Sequence, residues 1–433
     1  MFECAVFALM VLHIIGSVLD ESWRLHTLSL AAPLLAIIAF AFLQIHSFGV
    51  FQWASKKQDA GWNVISDDPA STRFFIFRLS ALIITGELLL RYTTNRRRLW
   101  LLVHTIIGVG VASALFGIVR QMAQNDAGFV LPALIGGEGY GQFINANHFA
   151  FLMEMVLGLI LGLIFWGSLN RRHLPIYAVA AFIVWVALVL SKSRGGILGM
   201  LSQLLFLGVL LSSTRLYWRQ SNTKGENLGV VRMAASAATR IMLITSLLVV
   251  VCVGALGIGG DPLANRLVKV STEVESGQMV NRENTRRIDI WRATWALIKS
   301  NKFVGVGFGG YAVAISRYHD ASGEFSPQQA HNDYLELLVS GGIFGVALGV
   351  WFVLASVVQA RRALRGQEAF RRSVCFGALA GLFAVAVHSF VDFGLHIIAN
   401  ALIFTAVVVL ATANEQTAEH FVWAKSLRRK RTS

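Results

Sequence analysis

Cysteine is scarce in this chain: Cys4, Cys252 and Cys375 are the only three in 433 residues. Each lies in or beside an apolar segment and none has metal-ligand spacing, so neither a disulfide framework nor a zinc site is suggested. Charge is scarce as well. Asp, Glu, Lys and Arg make up 14% of the residues while 55% are hydrophobic, and mean hydropathy is +0.60, which excludes a soluble globular domain. Alternating ten-residue segments are missing, which argues against a transmembrane barrel, whereas runs approaching the roughly 20 apolar residues of a spanning helix recur. No internal repeat and no Pro- or Ser-rich linker divides the chain. The first segment, "MFECAVFALMVLHIIGSVL", lacks a basic leader and a small-residue cleavage site, so it is expected to be a retained span. Acidic residues are outnumbered, 24 against 38 Lys and Arg, giving a net charge of +14. Most of the basic residues sit in short loops between spans, where they serve orientation and contact with anionic lipid, so nucleic acid is not an expected partner.

The hydrophobic pattern predicts an all-α polytopic membrane protein. About eleven spans are expected, at 1–19, 27–46, 73–92, 99–119, 147–168, 174–191, 195–213, 240–260, 333–357, 373–391 and 395–413. The basic clusters at 95–98, 170–173, 214–240 and 361–372 and in the tail "KSLRRKR" then share one face, which the positive-inside rule makes cytoplasmic. The chain reads as a single integral membrane domain, 1–433, with a large loop insertion at 261–332 on the opposite face. Within that loop, "RRIDIWRATWALIKS" spaces Ile288, Trp291, Trp295 and Ile298 along one apolar helical face, as expected of a helix near the membrane surface. "GVGFGG" at 305–310 formally matches a dinucleotide fingerprint, but no strand surrounds it, and it is expected to be a flexible turn.

Polar residues gather where spans begin. In "HNDYLELLVSGGIFG", 331–345, Asp333 and Glu336 have capping-box spacing, so a helix should begin at 333–334 with His331 and Asn332 just outside it. A helix N-terminus suits a phosphate-bearing ligand, although His331 reads equally as an interfacial loop residue. Gly341 and Gly345 form a small-xxx-small pair suited to a close helix neighbour. Arg194, in "SKSRGGILG", falls between two spans, where snorkelling to headgroups is its ordinary role. Arg286, Arg287 and Arg292 lie on the loop helix, where a solvated basic face is the plain reading. Asn147 and His148 open another span in "GQFINANHFAF". His388, Asp392, His396 and Asn400 recur every four residues and share a face if their helix is continuous; Gly394 is a candidate break. A metal triad and a packed polar network both fit that stripe, the network better.

Taken together these blocks resemble the O-antigen ligase and polymerase superfamily of bacterial envelope glycosyltransferases. The ligase motif, His then Asn, Ser or Gln, nine residues, Gly, two residues, then Gly, Thr or Tyr, is met by His331, Asn332, Gly342 and Gly345. "SKSRGGILG", "RRIDIWRATWALIKSNKFVGVGFGGY", "GQFINANHFAF" and "VHSFVDFGLHIIANALIF" also resemble family blocks, so the likeness runs from about 120 to 413. Family members usually have about twelve spans with both ends cytoplasmic, whereas eleven are read here, with the N-terminus outside.

The resemblance implies a fold, a reaction and a set of site residues. It implies location in the bacterial inner membrane with a site facing the periplasm, a glycan on undecaprenyl diphosphate as donor, and lipid A-core or another glycan as acceptor. By similarity, Arg194 and Arg287 take the places of the family's essential arginines and His331 that of its essential histidine. An acceptor hydroxyl would attack the anomeric carbon with His331 as general base, while both arginines stabilise the departing diphosphate without a metal or other cofactor; inversion follows. Asn332, Asn147, Arg286, Arg292 and Asp392 are the expected substrate-binding residues. A polymerase of O-antigen, exopolysaccharide or capsule shares this chemistry and much of the motif. A polysaccharide or lipid transporter is the rival from another class, with Asp392 or Arg78 marking a path, but paired inverted halves are not evident.

Overall fold

The computed structural model describes residues 2–19, 28–46, 64–93, 95–123, 139–166, 169–222, 282–318, 327–366 and 368–413, the side chains of 17–19, 28, 212–222 and 282–289 excepted. Among these residues the chain forms twelve α-helices: α1 Phe2–Leu19, α2 Leu28–Ile45, α3 Pro69–Tyr92, α4 Arg96–Ala123, α5 Ala146–Phe165, α6 Leu174–Leu190, α7 Arg194–Asn222, α8 Arg282–Ser300, α9 Tyr311–Ile315, α10 Asp333–Leu364, α11 Ala369–His388 and α12 Ile398–Thr412. A short 3-10 turn, Gly394–His396, precedes α12. Five helices, α4, α5, α7 as far as Leu211, α10 and α11, are long and apolar enough to cross a membrane, and α1, α2, α6 and α12 are shorter apolar helices. The protein is an all-α multi-pass membrane protein. Each expected span except 240–260 coincides with a helix, its ends moved by a few residues. The 240–260 span lies outside the described residues, as do the 223–240 part of the basic loop, residues 261–281 and the C-terminal tail.

The chain divides into two compact units, one made of Met1–Leu102, Glu283–Gly366 and Phe390–Ser433, the other of Val103–Arg282 and Gln367–Ser389. In the second unit α5 is the hub, packed on α11, α6 and α7. Its contact with α11 is a seam of glycines. A Cβ on Gly162 would stand 2.3 Å from the Cα of Gly377, and one on Gly158 would stand 2.6 Å from the backbone nitrogen of Gly381. Only bare backbone allows this approach, the small-residue packing that replaces the hydrophobic effect between helices in lipid.

In the first unit α2 packs between α3 and α10, α12 lies against α3 and α10, and α1 lies on α3. The 301–310 stretch folds back onto α10, where Val304 and Phe308 join Ile37, Phe40 and Ala41 in one apolar cluster. Gln44, buried at the end of α2, ties this turn down. Its Nε2 donates to Val304 O at 2.7 Å and Ser340 O at 3.0 Å, and its Oε1 accepts from Phe308 N at 3.2 Å. The expected flexible turn is therefore a buried, fully braced one, and Gly305, Gly307 and Gly309 all hold positive φ within it.

Two expectations change here. Among the described residues, what faces Gly341 and Gly345 is the Phe308 ring and not a helix; a Cβ on either would meet that ring, at 2.9 Å and 3.5 Å. Between them Gly342, at φ 61 and ψ −160, interrupts α10. The freed N–H groups of Ile343 and Phe344 bond instead to Lys302 O (2.9 Å) and Phe303 O (3.3 Å). The glycines thus seat the turn. On α8 the face packed inward is Ala293, Leu297 and Ile298, clustered with Val306, Tyr311, Ala314, Ile315, Ala330 and Val339. Of the apolar face expected from the spacing, Ile298 joins this cluster and Trp291 is half-buried, while Trp295 points away at 50% exposure.

Candidate active site at the head of helix α10

Helix α10 begins at Asp333, as its spacing predicts, but its cap is one residue earlier. Asn332, in an extended conformation, accepts from the N–H groups of Tyr334 and Leu335, both at 3.0 Å, through Oδ1. Its Nδ2 donates to Phe390 O at 2.8 Å. Glu336 does not close the expected box on the cap; its Oε2 reaches further back and accepts from Ala330 N at 3.0 Å. The Ala330 carbonyl in turn accepts from the Trp291 indole Nε1 at 2.9 Å. Asn332 is buried and both ends of its amide are committed to the backbone, so it holds the segment in place.

His331 sits between these fixed points in the left-handed region, φ 50, a conformation uncommon for a residue with a side chain. Its Nδ1 faces Asp392 Oδ1 at 3.7 Å, longer than a hydrogen bond, and the two side chains are 30% and 0% exposed. Nδ1 is the buried ring nitrogen, so the accessible part of the imidazole is its other edge. The ring stands edge-on to Phe393, centroids 4.8 Å apart. Asp392 also accepts from Phe393 N at 2.8 Å. Its burial places it on the inner side of the imidazole. A buried acid facing an imidazole favours the protonated ring electrostatically, which suits an imidazole to general-base work.

A second imidazole lies close by. His396 Nε2 is 3.6 Å from Asp333 Oδ1 and its Nδ1 is 3.7 Å from Glu336 Oε1. It keeps 39% of its side chain accessible, yet desolvation by its surroundings holds its pKa below the ordinary imidazole value, with Asp333 pulling upward and Arg78 downward. The four-residue stripe is thus broken. After α11 ends at His388, Asp392 serves His331, His396 meets the carboxylates of α10, and Asn400 donates to Gly394 O at 3.2 Å. His388 belongs elsewhere: its Nδ1 is 2.9 Å from Glu154 Oε1 on α5, both side chains fully buried, and Gln203 Nε2 donates to Glu154 O at 2.9 Å. Sequence reasoning missed Glu154, Glu336 and Trp291 as site or network residues. A lone acid inside an apolar run was the available signal for Glu154.

In the second unit the heads of α5 and α7 meet. Asn145 caps α5 by accepting from Asn147 N at 2.8 Å, and Asn147 Oδ1 accepts from Ser193 Oγ at 2.7 Å. That same Oγ accepts from Gly196 N at 3.0 Å in the first turn of α7. Arg194, the first residue of α7, is exposed, and Lys192 beside it adopts φ 57. Arg194 and Asn147 are therefore brought to one place, at two helix ends whose dipoles and N–H groups favour an anion. Arg286 and Arg287 lie on α8, their side chains outside the described residues, and Arg292 is exposed on the same helix.

The fold and these groups define a class: a helical, multi-pass membrane protein that keeps an acid–imidazole pair at a helix head, equipment suited to proton transfer in a group-transfer reaction. The sequence comparison is more specific. Residues 178–350 match the family model described as O-antigen ligase, which bears out the resemblance to that superfamily over the stretch holding Arg194, Arg286, Arg287, Arg292, His331 and Asn332. Asn147 and Asp392 lie outside the matched residues. No curated protein matches the chain. The family match supports an O-antigen ligase or polymerase type of function, a glycosyltransferase-like activity in a membrane, in general terms.

Proposed function

We propose that the protein transfers a glycan from undecaprenyl diphosphate to a hydroxyl of lipid A-core, as an O-antigen ligase acting at the periplasmic face of the bacterial inner membrane. The observation that carries this reading is His331, paired with the buried Asp392 at the head of α10 inside the family-matched stretch. The acceptor O–H attacks the anomeric carbon as the bond from that carbon to the diphosphate oxygen breaks, and the configuration inverts. His331 takes the acceptor's proton through its accessible edge, and Asp392 steadies the imidazolium that results. Arg194 and Arg287 offset the charge that builds on the departing diphosphate through forked hydrogen bonds, a task that calls on no metal. Arg286, Arg292 and Asn147 contribute to binding the lipid headgroup and glycan, and the 261–332 insertion shapes the acceptor side.

The test is transfer by the purified protein of a short glycan from synthetic undecaprenyl diphosphate to lipopolysaccharide that lacks O-polysaccharide. His331→Ala should lose about 100-fold or more in turnover, the contribution typical of a positioned base. Unchanged product from that variant removes the assignment. In cells lacking the protein, polymer left on its lipid carrier supports the ligase, whereas single lipid-linked repeats favour the polymerase reading of the same superfamily.

A further inference from the structure

The left-handed backbone at His331 has to be held in place by something, since an L-residue there is roughly 1 kcal/mol or more above its relaxed state. Asn332 fixes the C-terminal side through its cap and its bond to Phe390 O. The N-terminal side is fixed by two groups that belong to no cap. Ala330 N donates to Glu336 Oε2 at 3.0 Å, and Ala330 O accepts from Trp291 Nε1 at 2.9 Å. Ala330 itself is fully buried in the cluster formed with α8 and α9. One residue is thus gripped at both its backbone polar groups, its N–H from α10 and its carbonyl from α8, immediately before the histidine.

We propose that Glu336 and Trp291 are positioning residues for His331: by holding the peptide groups on either side of Ala330 they keep the His331 backbone in its left-handed setting and its imidazole with Nδ1 toward Asp392. Neither is a catalytic residue, since Glu336 is buried and spends Oε2 on the peptide while Oε1 faces His396. The proposal rests on the reading of His331 as the base. A buried carboxylate in a helix's first turn ordinarily serves that helix's own N–H groups. Here the bond instead goes to the residue before the base, which is what a device for aiming that base requires.

A double-variant cycle with exchange measurements tests it, using the whole protein and the lipid-linked glycan and lipopolysaccharide of the transfer assay. Glu336→Ala should lower kcat on the order of 100-fold with KM for the donor changed less than about threefold, the effect of a base displaced by about 1 Å. Trp291→Phe, which deletes one hydrogen bond, should lower kcat about fivefold. Glu336→Gln, whose amide oxygen can still accept from Ala330, should recover most of the loss. In a His331→Ala background Glu336→Ala should add less than about threefold, because there is no imidazole left to aim. Backbone hydrogen exchange at Ala330 should quicken in Glu336→Ala while exchange in α5 and α11 stays as in wild type. Full multiplication of the two losses, or wild-type kcat in Glu336→Ala despite a freed Ala330 amide, overturns the proposal. Wild-type activity in His331→Ala overturns both this and the base assignment, while the exchange readout still reports whether the clamp exists. Should Glu336→Ala fail to fold, Trp291→Phe and Trp291→Phe/His331→Ala carry the same cycle.

Discussion

Alanine at Gly342 should be far worse tolerated than alanine at Gly341 or Gly345, although all three lie in one short apolar stretch. At Gly342 the backbone stands at φ 61 and ψ −160, a region essentially closed to side chains, which by itself disfavours alanine by about 1–3 kcal/mol. Its Cβ would also fall 2.2 Å from Phe303 O, 2.3 Å from Phe303 C and 2.7 Å from Val304 N. These are backbone atoms that no rotamer change can move. Residues 302–304 would have to retreat, straining the bonds from Ile343 N and Phe344 N, each worth about 1 kcal/mol. The sum is about 3–5 kcal/mol. At Gly341 the nearest atom is the far end of the Phe308 ring at 2.9 Å, which can turn aside, so about 1 kcal/mol is expected. At Gly345 nothing comes within 3.5 Å, and alanine's better helix propensity, up to about 1 kcal/mol, should leave the protein unharmed or firmer. Thermal loss of the monodisperse detergent-solubilised protein, followed by tryptophan fluorescence, gives the order directly. Equal damage from all three alanines would refute the reasoning and restore a close helix seam at Gly341 and Gly345.

Two other outcomes follow from the buried pairs. Asp392→Asn keeps the shape of the carboxylate but removes the charge behind His331, so turnover in the transfer assay should fall about 10²- to 10⁴-fold with binding of the donor little altered; a rate within threefold of wild type would show that Asp392 does not orient the ring. Glu154→Leu strands His388 in a fully buried site and should destabilise the protein by about 1–3 kcal/mol, whereas Glu154→Leu/His388→Leu should melt above either single variant because no polar group is left unpaired. A double variant less stable than both singles would mean that each side chain stabilises the site even without its partner, against this reasoning.

Composition and hydropathy were enough to establish a helical membrane protein and most of its spans, because crossing a bilayer imposes a length and an apolar content that short-range pattern records. The order His331, Asn332, Gly342, Gly345 carried the resemblance to the family, and the Asp333–Glu336 spacing pointed to the head of α10 because helix starts are local events, although the cap fell on Asn332 and the break at Gly342 was not read. Partners across the chain were beyond that reach. Nothing near Glu336 in sequence says that its carboxylate passes its own cap to serve Ala330, and nothing near Asp392 says that it faces the buried nitrogen of His331. The glycine pattern was legible but was assigned to the wrong helix. The seam lies between Gly158, Gly162, Gly377 and Gly381, while Gly342 is a break in α10 that seats the 302–304 backbone. Periodicity reports which residues share a face; which face meets which neighbour is decided by close packing of shapes distant in the chain, and only the folded molecule contains that information.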